Sequence, residues 1–318
     1  MDVFSDVLRV AHLTSAVLGQ ARFVAPFGIR VAPQKVIVAH IVLGGEAWLR
    51  RPGAKPLRLK NGDILVLAPR GEHVLSDRPS GPVRPFQEVM AEIAGRPVPQ
   101  EGAAVTHVLC ASYSVDDGET RRTVSRLPDA IHLSGEDAAR WPALAHLVAL
   151  LRIEADAQAE GSVHVVPRLV DTLFVLALRA WLDSRPDRAA GWYGALRSRG
   201  VGRALAALHA EPGRTWTLDS LAAAAGQSRS TLARQFREQV GETPLAYLTR
   251  WRLSLAAERL RREGVAVETA AEVAGFSSAP AFSRAFKRQF GLAPSTYRRT
   301  ALATQRPDGA HDASVDRR

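Results

Sequence analysis

Two stretches of this chain match each other without a gap at a spacing of 50 residues, and few folds accommodate such a repeat. Ser228 pairs with Ser278, Arg234 with Arg284, Phe236 with Phe286, Gln239 with Gln289, Gly241 with Gly291, Pro244 with Pro294 and Tyr247 with Tyr297. Leu232 with Phe282 and Arg237 with Lys287 are conservative pairs. Each copy reads as a helix: a serine able to cap the first turn, an apolar stripe, and a glycine just past the last turn. In the first copy Leu232, Phe236 and Val240 recur at i, i+4, i+8 and face inward, with Ser230, Arg234 and Arg237 on another face. In the second, Phe282, Phe286 and Phe290 are the inward set, and Arg284, Lys287 and Arg288 are outside it.

Upstream of each copy lies a short alanine-rich helix, Leu218 to Ala225 and Val267 to Ala274, followed by Gly226 or Gly275. Small residues let two helices cross closely, and glycine permits the sharp bend between them. Helix, glycine turn and capped basic helix form a helix-turn-helix, whose second helix enters the DNA major groove by its N-terminal end. Between the copies, Leu245 to Arg262 has no breaker and reads as one helix of about 27 Å at 1.5 Å per residue. Such a strut could set two recognition helices near the roughly 34 Å that separates successive major-groove faces.

Charge agrees with this reading. Residues 201–300 hold 15 Lys and Arg against 8 Asp and Glu, a net of +7, whereas residues 1–200 hold 24 against 21, a net of +3. The basicity sits where a phosphate-binding domain is expected. At 318 residues and 46% hydrophobic the chain suits two domains, with a core in each. A single cysteine, Cys110, excludes an intramolecular disulfide and any CxxC metal site, and it lies in an alternating run where a buried strand position is expected. Met1 to Asp6 lacks the basic and apolar regions of a signal peptide, and Leu169 to Leu182 is broken by Asp171 and Arg179, so a cytoplasmic location with no membrane partner is expected.

From Ala21 to Val115 short β-branched runs alternate with turn signals. Ile29 to Val31, Val36 to Leu43, Ala47 to Arg50, Leu57 to Leu59, Ile64 to Leu67 and Val105 to Ser114 read as strands, separated by Gly44-Gly45, Pro52-Gly53 and Asn61-Gly62. The last is a strong two-residue hairpin signal. Short strands at this spacing predict an antiparallel barrel or jelly roll. After Ser134 the period becomes helical, with Leu144, Leu147, Val148 and Leu151 on one stripe and Leu169, Leu173 and Leu176 on another. These helices either close the first domain or form a homodimer contact. The fold class expected is therefore α+β in two domains: residues 1–190 as a β-barrel with helices, 201–300 as an all-α domain with two helix-turn-helix units, and 301–318 as a disordered tail.

Residues 201–299 resemble the AraC/XylS family of bacterial transcription regulators. The resemblance rests on Ser228, Leu232, Arg234, Phe236, Arg237, Gly241, Pro244 and Tyr247, then Gly275, Phe276, Ser278, Phe282, Arg284, Phe286, Lys287, Gly291, Pro294, Tyr297 and Arg298, each at the family's spacing. The first 200 residues resemble the family's cupin-type domain through Gly62, Asp63, Pro69, Gly71 and His73. The resemblance implies promoter DNA as partner, a small-molecule effector in the barrel, and RNA polymerase as a further partner in an activator. It implies base contacts from Ser230, Ala233 and Arg234 in the first unit and from Pro280 and Arg284 in the second. Ser228, Arg229, Thr231, Ser278 and Ser283 complete the DNA-facing set, with Arg237, Lys287 and Arg288 on phosphates. Ala279, Pro280 and Ala281 offer no side-chain donors, so the second unit is expected to position the protein or to touch thymine methyls.

His40, Glu46 and His73 are spaced roughly as cupin metal ligands are, but Val42 stands where a second histidine of the motif would be. No metal or other cofactor is expected, and a metal-free pocket is the use predicted for the barrel. No glycine-rich phosphate loop, GxSxG or HExxH occurs, so no enzyme is expected. The alternative left open is a cupin-type metalloenzyme carrying a DNA-binding appendage, and a purely architectural DNA binder is a third reading.

Overall fold

The computed structural model describes residues 3, 5–7, 13–69, 71–94, 105–115, 128–157, 159–184 and 192–305. They group into two compact units, a β-unit of residues 12–116 and 121–189 and a helical unit of residues 1–11, 117–120 and 190–318.

The β-unit is built from two five-stranded sheets. One runs β1 (Leu13–Val24), β9 (Val105–Val115), β3 (Ile37–Gly44), β6 (Ile64–Leu67), β10 (Ala130–Leu133). The other runs β5 (Leu57–Lys60), β4 (Glu46–Arg50), β7 (His73–Ser76), β2 (Gly28–Val31), β8 (Arg84–Pro85). Neighbours are antiparallel except the short β2–β8 pair. Alternate residues of both sheets fill the space between them, with Phe23, Val42, Leu65 and Val108 from the first meeting Ile29, Leu49, Leu59 and Leu75 from the second.

The strand β3 is buried on both faces, which is why it reads as a continuous apolar run rather than an alternation. Its second face, with that of β9, lies under a helix: Tyr113 on β9 donates its hydroxyl to the Val170 carbonyl at 2.8 Å and packs its ring on Phe174. That helix, α4, spans Ser162–Ser184, after α1 (Phe86–Ile93), α2 (Gly135–Ala139) and α3 (Pro142–Ala157). Leu173 is 0% exposed within its own unit. Leu169 and Leu176, on the same stripe, are half-buried.

Asn61-Gly62 does not close a hairpin, contrary to the sequence signal. The strands on either side, β5 and β6, belong to different sheets, and the turn carries the chain from one sheet to the other. Gly62 takes φ +85° and its amide donates to the Val42 carbonyl at 2.8 Å, so a tertiary contact decides the turn's use. The neighbouring Asp63 accepts from the amides of Lys60 and Gly135 and from His132 Nε2. Burial alone would raise its pKa; these three donors outweigh it and hold the carboxyl below the ordinary range. The Gly-Asp motif thus fastens the turn to the start of α2.

The helical unit contains α5 (Trp192–Arg197), α6 (Val201–Ala210), α7 (Leu218–Ala225), α8 (Arg229–Val240), α9 (Pro244–Arg262), α10 (Val267–Val273), α11 (Ala279–Phe290) and α12 (Pro294–Gln305). α12 continues five residues into the segment expected to be unstructured, since Ala301, Leu302 and Ala303 extend a helix readily; residues 306–318 lie outside the described ones. Of the opening residues, Val3, Ser5, Asp6 and Val7 are described, and they group with this unit. Val3 and Val7 are buried, and Asp6 lies 3.3 Å from His209 Nδ1. His209 in turn meets the Tyr247 hydroxyl at 2.8 Å and stacks on Trp251.

Candidate nucleic-acid interface and ligand cleft

Each repeat is held by a buried apolar stripe. Leu232, Phe236 and Val240 of α8 are 0% exposed, as are Phe282 and Phe286 of α11, while Phe290 is half-buried against Tyr297. Burying such a side chain is worth about 1.5–3 kcal/mol relative to leaving it in water, so the stripe fixes which face of each helix looks outward.

The termini are set as the residues require. Ser228 accepts from the Thr231 amide at 3.2 Å and Ser278 from the Ala281 amide at 3.4 Å. Gly226, Gly241 and Gly291 take left-handed φ values of 64°, 81° and 78° at the ends of α7, α8 and α11. At Gly275 φ is +71°, and an added Cβ would stand 2.8 Å from the end of the Arg252 side chain, which would have to shift.

Outward faces carry the predicted DNA residues. Ser228, Arg229, Ser230, Arg234 and Arg237 are exposed at α8, with Thr231 and Ala233 half-buried beside them. On α11 and its cap, Ser278, Pro280, Arg284, Lys287 and Arg288 are exposed, and Ser283 is half-buried. The two units differ electrostatically in a way the sequence did not announce. Arg229 pairs with Asp219 at 3.0 Å and Arg234 with Glu238 at 3.1 Å. Among the described residues, Arg237, Arg284, Lys287 and Arg288 form no ion pair. Asp219 and Glu238 were missed; the i, i+4 spacing of Arg234 and Glu238 was the available signal.

α9 ties the two units together through a buried polar seam. Arg250 Nη2 reaches Glu242 Oε1 at 2.6 Å, its guanidinium lies 4.8 Å from the Tyr247 ring centre, and burial pushes its pKa down to about 10. Gln289 of α11 donates to the Arg250 carbonyl and to Ser254 Oγ, both at 3.3 Å.

Inside the β-unit, His40 and His73 meet at 2.8 Å between their Nε2 atoms, and His40 Nδ1 lies 3.1 Å from Cys110 Sγ. The directions of these bonds follow from chemistry. Burial pushes His73 down to about 4, against a backbone bond at Gly71 that favours the charged ring, so His73 donates to that carbonyl. Its Nε2 then accepts from His40 Nε2–H. Burial, and secondarily the neighbouring His73, also lower His40 well below the ordinary value. His40 Nδ1 is left to accept from the Cys110 thiol, which burial pushes up to about 12 and keeps protonated. The chain runs from thiol to backbone carbonyl with every ring nitrogen used.

Glu46 does not join this pair. It lies at the start of β4 with its side chain 48% exposed, bonded to Arg58 Nε at 2.9 Å. With Glu46 turned away to Arg58, His40 and His73 are a pair without a third ligand, one short of the three that such a site uses. Among the described residues no group of three His, Cys, Asp or Glu side chains is arranged to hold a metal. The residues present do not fit a cupin metal.

The β-unit also carries an open cleft of about 890 Å³, lined by β1, β2, α1 and the end of α3. None of its polar residues was singled out in the sequence, because they come from positions 20 to 156 and share no local pattern.

Residues 2–183 match a family model described as Cupin, and residues 221–300 match one described as Helix-turn-helix domain. A putative AraC-like transcription regulator of Streptomyces lividans is 31% identical over 309 residues, covering 94% of this chain and 98% of that one. The HTH-type transcriptional regulator AlkR of Acinetobacter baylyi is 28% identical, covering 94% of this chain and 99% of that one. A crystal structure of the DNA-binding domain of AdpA with a target DNA is 32% identical over 35% of this chain and all of that chain, with a TM-score of 0.33.

Proposed function

The chain belongs to the AraC family of transcription regulators, and from that premise we propose that it reads promoter DNA with α8 and α11 under control of a small molecule held by the β-unit. DNA-binding regulation of transcription is the family's activity. The observation that carries the finer reading is the pair of serine-capped helices whose outward faces hold Arg234 and Arg237, and Arg284, Lys287 and Arg288.

In this reading Ser230, Ala233 and Arg234 meet base edges, while Arg237, Lys287 and Arg288 neutralise phosphates. Full-length protein is expected to lose promoter affinity steeply with salt, and Arg237→Ala to lower the salt slope by about 1 while weakening all DNA sequences alike. An unchanged slope in that variant would remove the phosphate role.

Arg234→Ala is expected to cost about 1–3 kcal/mol and to relax preference at one or two base pairs. Its pairing with Glu238 holds the guanidinium in place before DNA arrives, whereas Arg284 stands beside Ala279, Pro280 and Ala281 without such a partner. Arg284→Ala is therefore expected to weaken binding with less loss of selectivity. Equal loss in the two variants, measured on a library of operator substitutions, would contradict this assignment.

The β-unit senses without catalysing. His40, His73 and Cys110 saturate one another, so the barrel interior offers no free nucleophile or general base among them. A homodimer, and contact with RNA polymerase if the protein activates, complete the proposal; a cytoplasmic site of action follows from its DNA target.

A further inference from the structure

The internal repeat reaches further upstream than the two serine-capped helices. Arg203 on α6 and Arg252 on α9 each stand 23 residues before the glycine of a helix-turn-helix bend, Gly226 and Gly275. In both units the guanidinium lies against that glycine: an added Cβ would meet Arg203 Nη2 at 3.1 Å and Arg252 Nη1 at 2.8 Å. Each bend thus leaves a seat for the planar head of an arginine from the preceding helix.

From that common seat the two arginines part. Arg203 Nε donates to the Arg199 carbonyl at 2.6 Å, four residues back in its own segment. Arg252 reaches away: its Nε donates to the Pro212 carbonyl at 2.5 Å and its Nη2 to the Arg214 carbonyl at 2.8 Å. Those carbonyls belong to the loop between α6 and α7, hence to the first unit, whereas Gly275 is the bend of the second. The loop is braced by Trp216, which is buried, donates from Nε1 to the Glu211 carbonyl at 3.0 Å and lies with its ring centre 4.2 Å from the Arg214 guanidinium. One side chain on the strut therefore touches both units. The Arg250 seam fastens each unit to α9; Arg252 fastens one unit to the other.

A shared helix fixes the distance between what packs on its two ends, but leaves each end able to rock about it. Two hydrogen bonds from a charged donor to backbone carbonyls oppose that rocking. One base pair of DNA moves the next major-groove face by about 3.4 Å and turns it by about 35°, so a small change of setting decides which spacing is accepted. We propose that Arg252 is a positioning residue: it holds the two units in one mutual setting and so fixes the spacing between the DNA segments read by α8 and α11. The proposal rests on the reading of both helices as DNA readers.

The test starts with full-length protein selecting its site from a library of randomised duplexes. Derivatives of that site with one base pair inserted or removed between the two recognised segments are then titrated. The unaltered protein is expected to bind them about tenfold or more weakly, as for a mismatched base pair. Arg252→Met, which keeps the stem and loses both donors, should bind them within about threefold of the parent site, and Arg203→Met should keep the full penalty. Spin labels on Glu238→Cys and Arg288→Cys, both exposed, give a second measure without DNA, diluted with unlabelled protein so that distances within one chain are read; Cys110 is buried and takes no label. The distance distribution should widen in Arg252→Met and not in Arg203→Met. If Arg252→Met does not fold, Arg252→Lys replaces it, because an ammonium cannot lie flat on Gly275 and bond both carbonyls as the guanidinium fork does. An unchanged spacing penalty in the Arg252 variant overturns the proposal. So does a loss that is equal at every spacing with a shallower salt slope, which marks Arg252 as a phosphate contact, and so does equal widening in Arg203→Met. If selection returns a single recognised segment, the reading of two DNA readers fails, and the label distances still decide whether Arg252 holds the units in one setting.

Discussion

Between pH 6.5 and pH 4 the β-unit is expected to lose about 3 kcal/mol of folding stability from His73 alone, at about 1.4 kcal/mol per pH unit. The motivation is the buried chain from Cys110 through His40 and His73 to Gly71, in which both rings must stay neutral. A folded-state pKa below the ordinary value means that the unfolded chain binds more protons as the solution is acidified. The contribution is therefore intact above 6.5 and drains away as the pH falls toward about 4. His40 adds a loss of the same sign, because its pKa is also lowered. Asp63 adds one at the acid end, where its depressed carboxyl finally takes a proton and releases His132 and Gly135. Urea unfolding followed by circular dichroism across this range checks the slope, and the double variant His40→Gln, His73→Gln should flatten it. A stability that stays level on acidification, or an unchanged slope in the double variant, would remove the histidine pair as the cause.

Glu242→Gln is expected to destabilise the helical unit by about 1.5–3 kcal/mol, the worth of a hydrogen bond to a charged group. Arg250 is 8% exposed, keeps its charge at neutral pH with its pKa near 10, and donates to Glu242 from Nη2 at 2.6 Å and from Nε at 3.1 and 3.3 Å. The carboxamide of glutamine keeps the shape but not the charge. Removing both charges should be milder: Arg250→Met with Glu242→Gln is expected to recover most of the loss, because no ion is then desolvated. The cycle separates the ion pair from mere packing, and thermal unfolding followed by the fluorescence of Trp251 would report it. A double variant as unstable as Glu242→Gln alone would mean that Arg250 matters for its stem and its contact with Tyr247 rather than its charge.

The parts of this protein that could be read from sequence are those whose determinants are local. Ser228, Gly226 and the stripe of Leu232, Phe236 and Val240 act within a few residues of one another, and the second copy at Ser278 and Gly291 repeats the statement. The cores of β2 to β6 and β9 were legible for the same reason. What escaped depends on distant partners. β1 was not read as a strand, because Leu13 to Val24 includes Thr14, Ser15 and Gly19 and gains its strand form from pairing with β9. Asn61-Gly62 carries a hairpin signal that Val42 redirects, and Leu173 lies on a stripe whose solvent or protein neighbour no periodicity reveals. Among the site residues, the outward position of Arg234 and Arg284 followed from the helical period. Their unequal pairing did not, and neither did the meeting of Gln20 with Ala155 across 135 positions.

The seating of Val3, Asp6 and Val7 within the helical unit means that this unit is discontinuous along the gene, with the β-unit written into it as an insertion. The two units are therefore not exchangeable as head-to-tail modules. A chimera that replaced everything before residue 190 with a foreign domain would remove Asp6 from His209 and open the seats of Val3 and Val7 to water, damaging the half it was meant to preserve. Grafts on this scaffold have to keep the opening residues ahead of whatever domain is installed behind them.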